Sequence, residues 1–192
     1  GLISTFLNGM VKCTGYKPGA LEDRYSSDGV FLYDRLNKSD MEMLELAIRC
    51  HNMYRIPQGL NRREQAFCNV LRDADKVDIF KVNIDTPLEE IYNTTTEELM
   101  KSDITDEVLE AFDEEHCILK AIRRTPADTV IGHVSLAYEL VYDESVRITV
   151  EQGYLAKLMH FHSDNEETNR KMAIVREKID SYVKKRIGEK DA

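Results

Sequence analysis

Residues 51–82, HNMYRIPQGLNRREQAFCNVLRDADKVDIFKV, constrain the fold more than any other stretch, because Pro57 and Gly59 separate two segments that each carry a helical period. Proline lacks the backbone N–H that a helix interior needs, and glycine is a common helix terminator. One helix must therefore end by this pair and another begin after it. Upstream, Leu44, Ala47, Ile48 and His51 recur at i, i+3, i+4 and i+7, one face of a 3.6-residue period. Ser39 is the expected N-cap of that helix, with Glu42 as its capping-box partner. Downstream, Asn61 is the expected cap of a long helix from about Arg62, with Phe67, Val70, Leu71, Ala74, Val77 and Asp78 on one face. On this phase Asp78 lies within the apolar stripe and reads as structural. Asp75 flanks the stripe, and Asp73 and Lys76 point toward solvent. Arg72 and Lys76 read as surface charges. A histidine and carboxylates at core-facing positions are costly unless something pairs them, and a divalent metal is one such partner.

The rest of the chain has the same helical pattern. Helices are expected at 2–12 and 28–36, with a loop at 13–27 that holds Gly15, Pro18 and Gly19. Beyond Pro87 come LEEIYN, TTEELMKS and a capped segment from Thr105 that carries Val108, Leu109 and Phe112. Pro126 opens a helix with Val130, Val134, Ala137, Tyr138 and Val141, followed by helices at 145–161 and 165–187. The last presents Met172, Val175, Ile179, Val183 and Ile187, and its KKR end meets the negative pole of the helix dipole. No alternating strand pattern of useful length occurs, 147–150 being the nearest. The expectation is an all-α, single-domain helical bundle spanning residues 1–192, with seven or eight helices.

The net charge of −9 and pI of about 5.1 argue against nucleic acid as a partner, because a phosphate-backbone binder needs a basic surface. A small phosphorylated molecule is compatible, since a metal and a few local cations can reverse the field in a cleft. No apolar run approaches the ~18 residues of a membrane span. The opening GLISTFLNGMVK lacks the pattern of a signal peptide, so no membrane partner is expected. Cys13, Cys50, Cys68 and Cys117 form no C-x-x-C pair and read as reduced thiols of a cytoplasmic protein. On that reading the N-x-T at Asn93 is a spacing accident. The sequence contains no phosphate-binding glycine loop, no nucleophile elbow and no H-E-x-x-H.

The pairing of His51-Asn52 with Arg72-Asp73-Ala74-Asp75-Lys76-Val77-Asp78-Ile79-Phe80 resembles the last two motif segments of the HD-domain metal-dependent phosphohydrolases. The likeness is to a bacterial subfamily with H-N followed by R-D-A-D-K-x-D-I-F. It covers residues 23–82 with specific motifs and continues weakly to the C-terminus. The resemblance implies a helical HD fold and a divalent ion (Mn, Fe, Co, Ni, Zn or Mg). That ion would bind a phosphate oxygen and activate water for attack on a nucleotide or other phosphate ester. It assigns Asp75 and His51 to the metal. Asn52, Asp73, Tyr25 and Lys76 are its candidates for pocket lining.

The sequence also departs from the subfamily pattern. DRYSSDGV stands where D-H-x-x-x-G-V is expected, so Gly29 and Val30 match but Tyr25 replaces the histidine. The His-Asp dipeptide is absent, and an ungapped count places it near Ile3 and Ser4. The helix that normally precedes it would fall before Gly1. Two monodentate ligands make a weak site where first-row metals usually take three or more. Two functions stay open: a phosphohydrolase with an incomplete metal site, its catalytic residues unassigned, or a non-catalytic HD-fold binding or assembly protein. The C-terminal amphipathic helix offers a face for a homodimer under either. His160 and His162 read as surface residues, and His116 and His133 as histidines without a sequence partner. The run at Asp113–Glu114–Glu115–His116 reads as a solvated helix end, and Met10, Met41, Met43 and Met53 as core filler.

Overall fold

The computed structural model describes residues 38–188. The expected helices at 2–12 and 28–36, the loop between them, and Tyr25 lie outside the described residues. Among the described residues there are nine α-helices, two 3₁₀ turns and no strand, so the all-α expectation holds. The chain divides after Asp75 into two compact units, Gly1–Asp75 and Lys76–Ala192.

In the first unit, α1 (Lys38–Cys50) leads through a turn and loop to α2 (Arg62–Asp85), whose residues up to Asp75 belong to this unit and the rest to the second. Ser39 lies inside α1 rather than at its cap. A cap preference is worth only about 1 kcal/mol, so it does not by itself fix where a helix starts. The buried positions of α1 are Met43, Ala47 and Cys50, so the core-facing stripe is rotated from the expected Leu44–Ala47–Ile48–His51 line. The helix also stops at Cys50, well before Pro57, and Met53 N–H donates to Cys50 O at 3.2 Å to close the turn. The Asn61 cap is as expected. Its Oδ1 accepts from Arg63 N at 2.9 Å and Glu64 N at 3.0 Å, and Glu64 Oε2 accepts from Asn61 N at 2.9 Å. A small core of Ala47, Cys50 and Cys68, flanked by Leu46, Ile56, Leu60 and Leu71, holds the unit.

The second unit has the larger core. Beyond α2 run α3 (Leu88–Tyr92), α4 (Thr96–Lys101) and α5 (Asp106–Phe112). A 3₁₀ turn at Lys120–Ile122, α6 (Pro126–Val134) and a second 3₁₀ turn at Ser135–Glu139 follow. The chain ends in α7 (Asp143–Gln152), α8 (Tyr154–Met159) and α9 (Glu166–Ile187). Helices as short as α4 and α5 do not persist alone in water, so caps and burial must hold them. Thr95 with Glu98 forms a capping box on α4, and Thr125 with Asp128 forms one on α6, whose first residue is Pro126. The expected 145–161 helix is two helices. Gly153, at φ 69° in the left-handed region, terminates α7 and turns the chain into α8. Val141 lies beyond α6 and is exposed, because the helix tightens into the 3₁₀ turn before reaching it.

Helix α9 buries Met172, Val175, Ile179, Val183 and Ile187, the stripe read from its spacing. Asn165 caps it by accepting from Glu167 N and Thr168 N. Phe112 and Tyr138 meet edge-to-face at 5.1 Å, and Tyr138 and Tyr182 do so at 4.9 Å. Each fully buried large side chain of this core contributes about 1.5–3 kcal/mol of transfer free energy. No described helix is long and apolar enough to cross a membrane.

Candidate functional site

The segment with the richest sequence signal turns out to bury charge. The buried residues of α2 are Cys68, Arg72, Asp73, Lys76, Phe80 and Asn83, while Phe67 and Val70 are exposed. Asp73 is 1% exposed and Lys76 5%, so neither meets solvent as the apolar phase implied, and Arg72 at 6% is not a surface charge. Asp75 and Asp78 are half-buried. The physical reason is hydrogen bonding: a polar side chain can occupy an inward face when its polar atoms find partners there. For Arg72 the partners are backbone carbonyls of the turn after α1. Its Nη1 donates to Met53 O and, at 3.5 Å, to Cys50 O, and its Nη2 donates to Tyr54 O at 3.4 Å. A cation placed on carbonyls at a helix C-terminus suits the local dipole. Asp73, Asp75 and Lys76 are likewise engaged by neighbours.

His51 stands in the turn just past α1, half-buried, and Asn52 beside it is exposed. The His51 Nδ1 lies 2.5 Å from Ile48 O. A carbonyl can only accept, so the His51 Nδ1–H is the donor. Among the described residues, no group of three or more His, Cys, Asp or Glu side chains is placed to hold a metal ion. His51 and Asp75 alone do not meet the three-ligand requirement of a metal centre that leaves a position for substrate.

The second unit contains a polar cluster that the sequence did not single out. Asn83 Nδ2 donates to Ile79 O at 2.8 Å, which turns Oδ1 toward Tyr92 and His133. The Tyr92 hydroxyl donates to that oxygen at 2.9 Å, and His133 Nδ1 lies 2.6 Å from it. Asn83 Oδ1 can only accept, so His133 is protonated on Nδ1 and bare on Nε2. Burial first, then the nearby charges of Arg123 and Lys120, push the His133 pKa down from 6.5 to about 4. The imidazole is therefore neutral at physiological pH and can accept a hydrogen bond or proton at Nε2. Burial also pushes the Tyr92 phenol up, so it remains a donor.

Lys76, Glu139, His116 and Cys117 make a second group in the same unit. Glu139 Oε1 accepts from Cys117 N at 3.2 Å and lies 3.0 Å from His116 Nδ1. Burial would raise the Glu139 carboxyl. The hydrogen bonds from His116 and Cys117 and the charges of His116 and Lys76 outweigh that and hold it below the ordinary carboxylate range. The Cys117 thiol is raised by its own burial and by Glu139, against the opposing charges of Lys76 and Arg123. Thus His116 is not merely part of a solvated helix end, although it is exposed.

Arg123 lies close to both groups and folds back over α6. Its Nη2 donates to Ile118 O and, at 3.5 Å, to Gly132 O. A Cβ on Gly132 would collide with the Arg123 Cζ and Nε, so the guanidinium takes the space that a side chain would fill. A glycine inside an apolar helix signals such a close approach, and it was the one sequence cue that could have led to this cluster. Compared with protein-family models, with curated proteins and with solved structures, the chain shows no match.

Proposed function

We propose that this chain is an HD-domain-type helical protein that binds a small phosphorylated molecule, and that the described residues alone do not turn it over. The observation that carries the reading is the charged inward face of α2. Arg72, Asp73 and Lys76 are all at most 6% exposed within the R-D-A-D-K-x-D-I-F segment. Burying ionisable groups in a helix is costly unless each finds a partner. The resemblance of this segment to the HD motif supports the family reading, and a small phosphorylated ligand is compatible with an acidic chain when the field is local. The exclusion of nucleic acid rests on the net charge of −9.

A second reading, metal-dependent hydrolysis of a phosphate ester, draws on His51. A ligand histidine ordinarily donates its other ring N–H to a carbonyl or carboxylate, and the His51 Nδ1 bond to Ile48 O has that form. Asp75 would be its partner, and the centre would need ligands beyond these two. The two readings separate in one preparation. The purified chain is loaded with Mn, desalted and analysed for metal, then assayed for binding and phosphate release with a panel of nucleotides and phosphomonoesters. The first reading expects saturable binding, substoichiometric metal and no release. Stoichiometric metal with Mn-dependent release establishes the second, and failure to bind any member of the panel sinks both.

A further inference from the structure

We infer that the exposed apolar face of α2 is a docking surface for the chain's own N-terminal segment, residues 2–12, which lies outside the described residues. The inference begins from a strip on the first unit that the described residues leave open to solvent. Phe67 is 42% exposed and Val70 57%. With half-buried Ala74 they follow Arg63 at i+4, i+7 and i+11, which is one face of a helix. An apolar side chain exposed singly is ordinary, whereas large ones in register along one face mark a surface that meets something. The small core of the unit, Ala47, Cys50 and Cys68, lies on another side of α2 and does not use this strip.

The entry point of the chain selects the occupant. Asp40, in the first turn of α1, accepts from Arg63 Nη2 at 2.8 Å. The Arg63 guanidinium lies 5.9 Å from the centre of the Phe67 ring. Residues 1–37 therefore lead into α1 beside the Phe67 end of the strip. A tethered segment meets such a face at an effective concentration that a free partner lacks. Residues 13–37 can span up to about 80 Å when fully extended, so residues 2–12 are within reach.

Chemistry agrees with that choice. Leu2, Ile3, Phe6, Leu7 and Met10 recur at i, i+1, i+4, i+5 and i+8, the spacing of one apolar helical face. No Asp, Glu, Lys or Arg occurs from Gly1 to Val11, so docking buries no charge. Residues 28–36 fit less well, because they carry Asp28, Asp34 and Arg35. The strip from Phe67 to Ala74 is about 10 Å long and one helix wide. One helix of about ten residues, roughly 15 Å long, spans it. A stable interface with a second copy needs about 800 Å² on each partner, more than such a strip offers.

The test uses the full chain with the photo-cross-linker p-benzoylphenylalanine in place of Val70, and maps the products by peptide mass spectrometry. The expected product is a monomer cross-linked within residues 2–12. A cross-linked dimer, a cross-link to residues 28–36, or no cross-link within the chain overturns the assignment. A double-mutant cycle gives an independent reading. Val70→Ala should lower the urea midpoint by about 0.5 M if the side chain is covered, whereas truncating an open valine leaves it unmoved. Leu7→Ala should lower it too, and the double variant should fall by less than the sum of the two. Unmoved midpoints, or strictly additive shifts, overturn the docking. None of these readouts involves a bound ligand, so their outcome is separate from that of the proposed function.

Discussion

Asp128→Ala should destabilise the second unit more than any exposed substitution. The Asp128 side chain is 0% exposed, and its carboxylate accepts from three backbone N–H groups, those of Thr105, Arg124 and Thr125, at 2.8–3.1 Å. It is also the reciprocal half of the capping box on α6. Hydrogen bonds to a charged acceptor contribute about 1.5–3 kcal/mol each. Arg124 is an exposed residue, so water can replace the carboxylate at its N–H more readily than at Thr105 and Thr125, which are half-buried. Two full losses come to about 3–6 kcal/mol, and the better helix propensity of alanine returns a few tenths, for a net loss of about 4 kcal/mol. With a urea slope of about 2 kcal/mol/M, the unfolding midpoint followed by circular dichroism at 222 nm should fall by about 2 M. Glu107→Gln, which breaks only the exposed Arg124–Glu107 pair at 3.1 Å, is the control. It should move the midpoint by no more than about 0.5 M, because exposed pairs contribute about 0–1 kcal/mol. A midpoint for Asp128→Ala within about 0.5 M of wild type would refute the view that this carboxylate anchors the Thr105 and Thr125 caps.

Three further outcomes follow from buried polar groups. The His133 pKa is held at about 4 against 6.5, so between these values the unfolded chain binds the extra proton and stability rises with pH. His133→Phe should remove an acid-side loss on the order of 3 kcal/mol, read as a flatter stability profile from pH 7 to pH 4; an unchanged profile would contradict the neutral, buried assignment. Arg72→Gln should cost about 2 kcal/mol through the carbonyls of Cys50, Met53 and Tyr54, with increased amide exchange confined to the turn after α1. Unchanged exchange there would show that Arg72 does not hold the turn. Cys68 is 0% exposed, and burial, with the Cys50 thiol beside it, pushes its pKa to about 11, so it should resist an aromatic disulfide reagent until urea unfolds the chain. Rapid labelling of Cys68 in the native state would contradict this.

Much of the helical pattern was legible because caps and spacing act locally. Asn61, Thr105, Pro126 and Asn165 announce helix starts through their own side chains or ring, and α9 shows its core stripe in its spacing. Phase failed where polar groups supplant apolar ones. The apolar residues of α2 suggested a face through Phe67 and Val70, but Arg72 finds three carbonyls and turns a charged face inward. The break at Gly153 was missed because the apolar period continues across it, although the glycine itself was the cue. The cluster of Asn83, Tyr92 and His133 spans 50 residues of sequence, and no local pattern reports a contact between residues so far apart. Only Gly132, accommodating Arg123, left a trace in the sequence.

The most direct test of the central claim is equilibrium binding of radiolabelled nucleoside mono-, di- and triphosphates to the metal-stripped chain, with product analysis of the same samples after Mn addition. The account expects saturable retention of at least one intact nucleotide, competition by inorganic phosphate, and no phosphate release. No retention of any nucleotide, or retention followed by Mn-dependent conversion to product, would contradict it.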